Sequence, residues 1–195
     1  HSNYYSNPNL IQDTLIIENS TFNWCGYAVN KNNESPVTVK NTSFSNIRYD
    51  ALRIHGLTFD DSLHVKDCQF NFVNGTAIWY DGNNSHNTSV SRTKIKNASH
   101  GIYGTNRSYL RVSRSLIADG GTPISLFNDW DGGYGGSFLL ASSTISNNTY
   151  GMNIGRDNDS YIGNTLISNS IIKNDNLREI DHYGPIVLSY SAIEY

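Results

Sequence analysis

The chain is poor in the residues that usually give a small domain away. Of its 195 residues only two are Cys, Cys25 and Cys68, which rules out a disulfide framework and any CxxC metal signature. There are 4 Pro and 1 Met, and charged residues make up 16%. The net charge of −3 leaves no basic footprint, which argues against a nucleic-acid partner. No apolar run approaches the roughly 18 residues needed to span a bilayer, so no membrane insertion is expected. The opening His1 to Leu10 lacks a basic stretch followed by an apolar one, so it does not read as a signal peptide. No HExxH, GxSxG, Walker or Rossmann motif occurs, which leaves metalloprotease, α/β-hydrolase and nucleotide-binding functions without support.

What remains is a chain rich in Gly, Asn, Ser, Thr and Tyr, a composition of strands and turns. One six-residue pattern recurs along it: apolar, any, turn residue, small residue, any, apolar. The copies run 17–22, 39–44, 65–70, 90–95, 112–117, 140–145, 167–172 and 188–193. They close on Phe22, Phe44, Phe70, Ile95, Ile117, Ile145, Ile172 and Ile193, at spacings of 22, 26, 25, 22, 28, 27 and 21 residues. A constant motif with variable intervals describes a solenoid whose loops differ in length on one side. The fourth position is always small: Ser20, Thr42, Cys68, Thr93, Ser115, Ser143, Ser170 and Ser191. Such a residue fits inside a sharp bend, where a hydroxyl can bond the backbone. The third position is Asn19, Asn41, Asp67 and Asn169 in four copies, residues that tolerate a left-handed backbone. Arg92, Arg114, Ser142 and Tyr190 depart from that preference.

A second strand follows most copies, as in Ala51 to Ile54, Ala77 to Tyr80, Gly101 to Tyr103, Pro123 to Leu126 and Gly151 to Ile154. Each begins with a small residue and then alternates apolar with polar or aromatic, the two-residue period of a strand. The fold expected is all-β, a single-domain right-handed parallel β-helix of about eight rungs over residues 1–195. Phe22, Phe44 and Phe70 should stack, with the isoleucines continuing their column. A β-sandwich would have no reason to repeat one motif in phase. A left-handed β-helix would keep a stricter hexapeptide period. Cys25 and Cys68 fall at different positions of rungs two apart, so two separate and mostly buried thiols are expected.

These repeats resemble those of the right-handed parallel β-helix proteins, the superfamily that includes pectate lyases. The resemblance runs from about Gln12 to Tyr195. Its final stretch, Ser168 to Ile193, looks like the last rungs of secreted multidomain bacterial β-helix proteins. That implies an extracellular or cell-surface location, and further domains of the same chain as partners. The last rung ends at Tyr195 without a covering unit, and the expectation is an excised part of a longer secreted protein.

In that superfamily substrates lie along the outer face of the strand next to the long loops. The resemblance therefore points to Arg53, Trp79, Tyr103, Ser125 and Asn153, with His55, Asp81 and His100 beside them. Aromatic rings and a guanidinium suit a sugar chain. The expected partner is a polysaccharide held by Arg53, Trp79, Asp81, Tyr103, Trp130 and Tyr134, without an obligatory cofactor. The last two lie in the glycine-rich loop 128–136. Asp129 and Asp131 of that loop could hold calcium through oxygen, although they match neither known calcium-loop spacing.

Two other functions stay open. A polysaccharide lyase or uronan epimerase needs a base and anion-stabilising cations, roles that Arg53, His55, His100 and Tyr103 could fill. A structural stalk or adhesin needs neither. A glycosidase would need two facing carboxylates; Asp50, Asp81 and Asp119 are expected on the loop side, and nothing shows that any two converge. Several Asn-x-Ser/Thr sequences occur, among them one at Asn19, expected to be a buried bend and a poor glycan acceptor.

Overall fold

The computed structural model describes residues 14–32, 35–58, 61–82, 87–105, 109–127, 135–155, 162–174, 179–182 and 184–194. Within them every strand pairing is parallel, and each joins a strand to its counterpart one coil further along the chain. The first sheet stacks eight strands: Leu15–Glu18, Val37–Lys40, Ser62–Lys66, Asn87–Ser91, Tyr109–Ser113, Gly135–Ala141, Ile162–Ser168 and Ile186–Ser189. The other thirteen strands form one hydrogen-bonded network folded into two faces. It is continuous because Gln69–Gly82 and Lys94–Thr105 run unbroken from one face to the other.

The second face carries the closing apolar residues. The third holds Val29–Lys31, Leu52–Leu57, residues 76–82, residues 100–105, Thr122–Phe127, Met152–Ile154 and Ile180–His182. The eighth motif has no third-face strand among the described residues. Complete coils are therefore fewer than motif copies, a small correction to the count of about eight rungs.

The expected column is present. Phe22, Phe44 and Phe70 stack with centroids 5.1 and 4.6 Å apart and ring planes within 5°. In register below Phe70 come Ile95, Ile117, Ile145, Ile172 and Ile193. Phe44 through Ile172 are buried, while Phe22 and Ile193 at the two ends are only partly covered. A second column from the first sheet, Ile17, Val39, Val65, Val90, Val112, Leu140 and Ile167, faces the same interior, and Leu188 continues it in register but stands exposed. Full burial of such a side chain contributes about 1.5–3 kcal/mol. Like side chains repeat at the strand spacing, so each coil supplies the surface its neighbour needs.

The bend between the first and second faces, the first corner, is left-handed at all eight third positions, with φ from 47 to 56°. Arg92, Arg114, Ser142 and Tyr190 depart from the residue preference and not from the conformation. The small fourth residues explain why the bend holds without Asn. Each points its hydroxyl, or at Cys68 its thiol, at the carbonyl two residues earlier, as Ser143 Oγ does to Ala141 O at 2.9 Å and Cys68 Sγ to Lys66 O at 3.2 Å. Each hydroxyl oxygen from Thr93 onward also accepts the N–H of its counterpart one coil earlier: Cys68 to Thr93, Thr93 to Ser115, Ser115 to Ser143, Ser143 to Ser170, Ser170 to Ser191. The bend thus satisfies its own polar groups. Asn19 itself is exposed, correcting the expectation of a buried bend.

The second corner, between the second and third faces, is a further left-handed column that the motif does not announce. Trp24, Asn46, Phe72, Asn97, Asp119 and Asn147 have φ from 52 to 58°. Each stands two residues beyond a closing apolar residue. The third corner joins the third face to the next coil. It absorbs the unequal motif spacing, from Thr105 to Tyr109 at its shortest to Ile154 to Ile162 among its longest. Cys25 lies by the second corner, half-buried, and Cys68 in the first, buried; both thiols are free.

Candidate functional site

The third sheet offers its outer face as a ladder of side chains in register. Alternation turns Leu52, Ile54, Ile78, Tyr80, Ile102 and Gly104 inward and leaves every second residue outside. Tyr80 is fully buried, and a Cβ on Gly104 would meet its ring at 2.4 Å, so the glycine makes room for it. Outside, Arg53 pairs with Trp79, Trp79 with Tyr103, Tyr103 with Ser125, Ser125 with Asn153 and Asn153 with Asp181. The five residues singled out from the sequence therefore form one row across five coils, which Asp181 extends to a sixth.

Its upper half is tightly interlocked. The Arg53 guanidinium sits over the Trp79 ring at 5.1 Å, and Trp79 and Tyr103 lie with planes 6° apart and centroids 6.3 Å apart. The His55 ring leans on Trp79 at 4.4 Å, and Phe127 on Tyr103 at 5.3 Å. Arg53 also reaches Asp50 at 3.7 Å and the Tyr27 hydroxyl at 3.4 Å. These contacts hold the side chains in fixed positions and cover ring faces, so this half presents ring edges and polar groups outward.

The three groups Arg53, His55 and Asp81 form a chain whose proton positions follow from the donors. Arg53 Nε–H donates to His55 Nε2 at 3.0 Å, so that nitrogen carries a lone pair. The ring proton then sits on Nδ1 and donates to Asp81 Oδ2 at 3.1 Å, while Asp81 Oδ1 accepts the Gly56 N–H at 3.0 Å. In this arrangement His55 has no lone pair turned to a substrate. The other two residues of the lyase set, His100 and Tyr103, meet edge to face at 6.3 Å two coils further on, about 9.6 Å along the column. Trp79 stands between the two pairs.

The lower half opens into a groove of about 350 Å³ bounded by His100, Thr122, Phe127, Tyr150, Asn153 and Asp181. Ser125 also lines it and is otherwise buried. Sequence reasoning placed His100, Ser125 and Asn153 here and missed Phe127, Tyr150 and Asp181. Asp181 was legible, because it pairs in register with Asn153, and Phe127 is the next outward position after Ser125 on the same strand. Tyr150 lies outside the strands and gave no such signal.

The three carboxylates weighed for hydrolysis do not share a side. Asp81 is at the third-corner end of its strand. Asp50 stands by the second corner, accepting the Thr76 N–H at 2.8 Å. Asp119 is itself a second-corner residue, bound to Lys96 at 2.6 Å, and that ammonium holds its carboxyl below the usual value. The expectation of all three on the loop side is corrected accordingly. Asp129, Trp130, Asp131 and Tyr134 lie outside the described residues. Among the described residues no three His, Cys, Asp or Glu side chains gather as metal ligands, and no helix is long and apolar enough to cross a membrane.

The family model for the right-handed β-helix region matches residues 9–171. The chain belongs to the right-handed β-helix family. The match covers the coils that carry the row from Arg53 to Asn153 and the groove lining except Asp181, and a pectate-lyase-like relationship is consistent with it. No curated protein and no solved structure matches the chain closely enough to support a relationship.

Proposed function

We propose that this β-helix binds a polysaccharide along the outer face of its third sheet, as a module of a secreted or cell-surface protein. The observation that carries the reading is the register-aligned row from Arg53 to Asp181, held rigid at one end and opening into a groove at the other. A glycan lying across the strands meets one new side chain per coil. Arg53 offers a planar pair of donors to a carboxylate or to adjacent hydroxyls. Ser125, Asn153 and Asp181 supply the short polar contacts that orient sugars. Phe127 and Tyr150 offer apolar surface for the sugar C–H groups. Low charge and abundant Asn, Ser and Thr suit an extracellular setting, and any further domains of the same chain would supply the context of binding.

Affinity gels containing polygalacturonate, alginate, xylan or hydroxyethyl cellulose test the reading. The wild-type protein should be retarded by at least one of them. Trp79→Ala and Asn153→Ala should each weaken that retardation about tenfold, the effect expected of a contact inside a binding row. A wild-type protein that migrates unretarded in every gel would refute the proposal.

A further inference from the structure

The second corner breaks its own pattern at two places. Asn46, Asn97, Asp119 and Asn147 hold left-handed positions for which their short polar side chains are well suited. Trp24 and Phe72 hold the same conformation with large aromatic side chains, for which it is an outlier. The interior does not compensate: Trp24 is 79% exposed and Phe72 54% exposed. A strained backbone carrying exposed apolar surface is unfavourable on both counts, and residues kept in such a state cluster where function needs them.

The two rings share a site. Trp24 and Phe72 line one groove of about 440 Å³ with Asn46, Ile47, Arg48 and Asn74. They stand on alternate coils, about 9.6 Å apart along the column at the strand spacing, with Asn46 on the coil between. The Asn46 amide is oriented by donating to Asn23 Oδ1 at 2.9 Å. Arg48 lies over Tyr49 at 5.3 Å, which fixes its guanidinium at the groove margin. Among the described residues neither Trp24 nor Phe72 has a ring or cation against its face, in contrast to Trp79.

We propose that this corner is a second saccharide-binding site, which takes an extended glycan running parallel to the column axis. The inference rests on the polysaccharide reading of the molecule and not on the third-sheet groove. Two open aromatic faces with a hydrogen-bonding amide between them match a chain of pyranose rings, in which apolar C–H faces alternate with hydroxyl edges. The core of a protein interface is its more apolar part, and here Asn46 and Asn74 interrupt the apolar surface between the two rings. Arg48 adds a fork for a carboxylate or for two neighbouring hydroxyls.

The test is the double variant Trp24→Asn, Phe72→Asn, run beside Trp79→Ala in the same four affinity gels and in thermal melts. Asn is the residue that three other coils place at this position. The double variant should therefore melt at or above the wild-type temperature while its retardation falls about tenfold. Undiminished retardation in the double variant, with loss in Trp79→Ala, overturns the corner site and leaves the third sheet as the binding face. A double variant that melts well below wild type overturns it as well, because the aromatics would then be structural. No retardation of the wild-type protein removes both sites together.

Discussion

The two left-handed corners adopt one backbone conformation and use it differently. At the first, a hydroxyl inside the bend bonds the carbonyl two residues back, and in most coils also receives an N–H from the coil before it. With the polar groups closed in this way, the left-handed residue itself varies widely, through Asn, Asp, Arg, Ser and Tyr. At the second corner the exposed side chains do more of the bonding along the column. Asn46 reaches Asn23, Asn97 reaches Asn71, and Asn147 reaches Asp119. There the polar side chain is the structural device; in the coils of Trp24 and Phe72 the preceding Asn23 and Asn71 take the bond, and the corner residue itself carries exposed aromatic surface. A left-handed residue with a Cβ costs about 1–2 kcal/mol. That cost is spread over a self-sufficient bend at one corner and concentrated on two aromatic side chains at the other.

The largest effect should come from the residue both corners depend on. Ile117 stands between Ser115 and Asp119, buried between Ile95 and Ile145. Ile117→Ala should destabilise the protein by about 2–5 kcal/mol in urea denaturation. Hydrogen exchange should quicken at both corners of the adjacent coils and little elsewhere, because contacts join only neighbouring coils. A uniform loss of protection from Val37 to Ile172 would mean that the column melts as one unit and that the two corners have no separate stability.

Ser143→Ala should have the next largest effect. It removes the acceptor of the Ser115 N–H at 3.2 Å and the donor to Ala141 O, both in a buried bend. A cost of about 1–3 kcal/mol follows from leaving those groups unpaired, read again from the denaturation midpoint. A loss no larger than that of an exposed serine would show that the hydroxyl ladder does not hold the first corner.

The smallest effect concerns acid. Asp67 at the first corner takes two hydrogen bonds of 2.6 Å from Arg92, and Asp119 at the second takes Lys96 at 2.6 Å and the Asn147 amide at 3.3 Å. Chiefly through these bonds, both carboxyls lie below 3.8 when folded. A depressed folded value means stability that is present above pH 3.8 and lost as pH falls through the folded value. Asp67→Asn and Asp119→Asn should each flatten the acid limb of a melting-temperature profile. The two-bond Asp67 pair should matter more, and salt should shrink both effects. Equal and salt-independent changes would contradict this ranking.

Much of the architecture could be read directly. The six-residue motif carries its inward residues, its small residue and its bend within one short segment, so the first corner needed no tertiary information. The second corner was legible in principle, since four of its six residues are Asn or Asp at a constant offset from the closing apolar position. Trp24 and Phe72 hid it by supplying aromatics where the others supply amides. The outer row was partly legible: alternation identified Arg53, Trp79 and Tyr103 as outward. Their mutual covering was not, nor was the occupation of both His55 nitrogens by Arg53 and Asp81.

By itself the sequence determined that the chain coils, which residues line the interior and where one bend falls. The information is local, and the partner of each residue is its own counterpart in the next coil. Tertiary structure alone decided which outward side chains meet across coils: Arg53 above Trp79, His100 apart from His55, Trp24 and Phe72 on one groove. Those meetings depend on the register of whole coils. Register emerges from hydrogen bonding between strands more than twenty residues apart, joined by a third corner of unequal length.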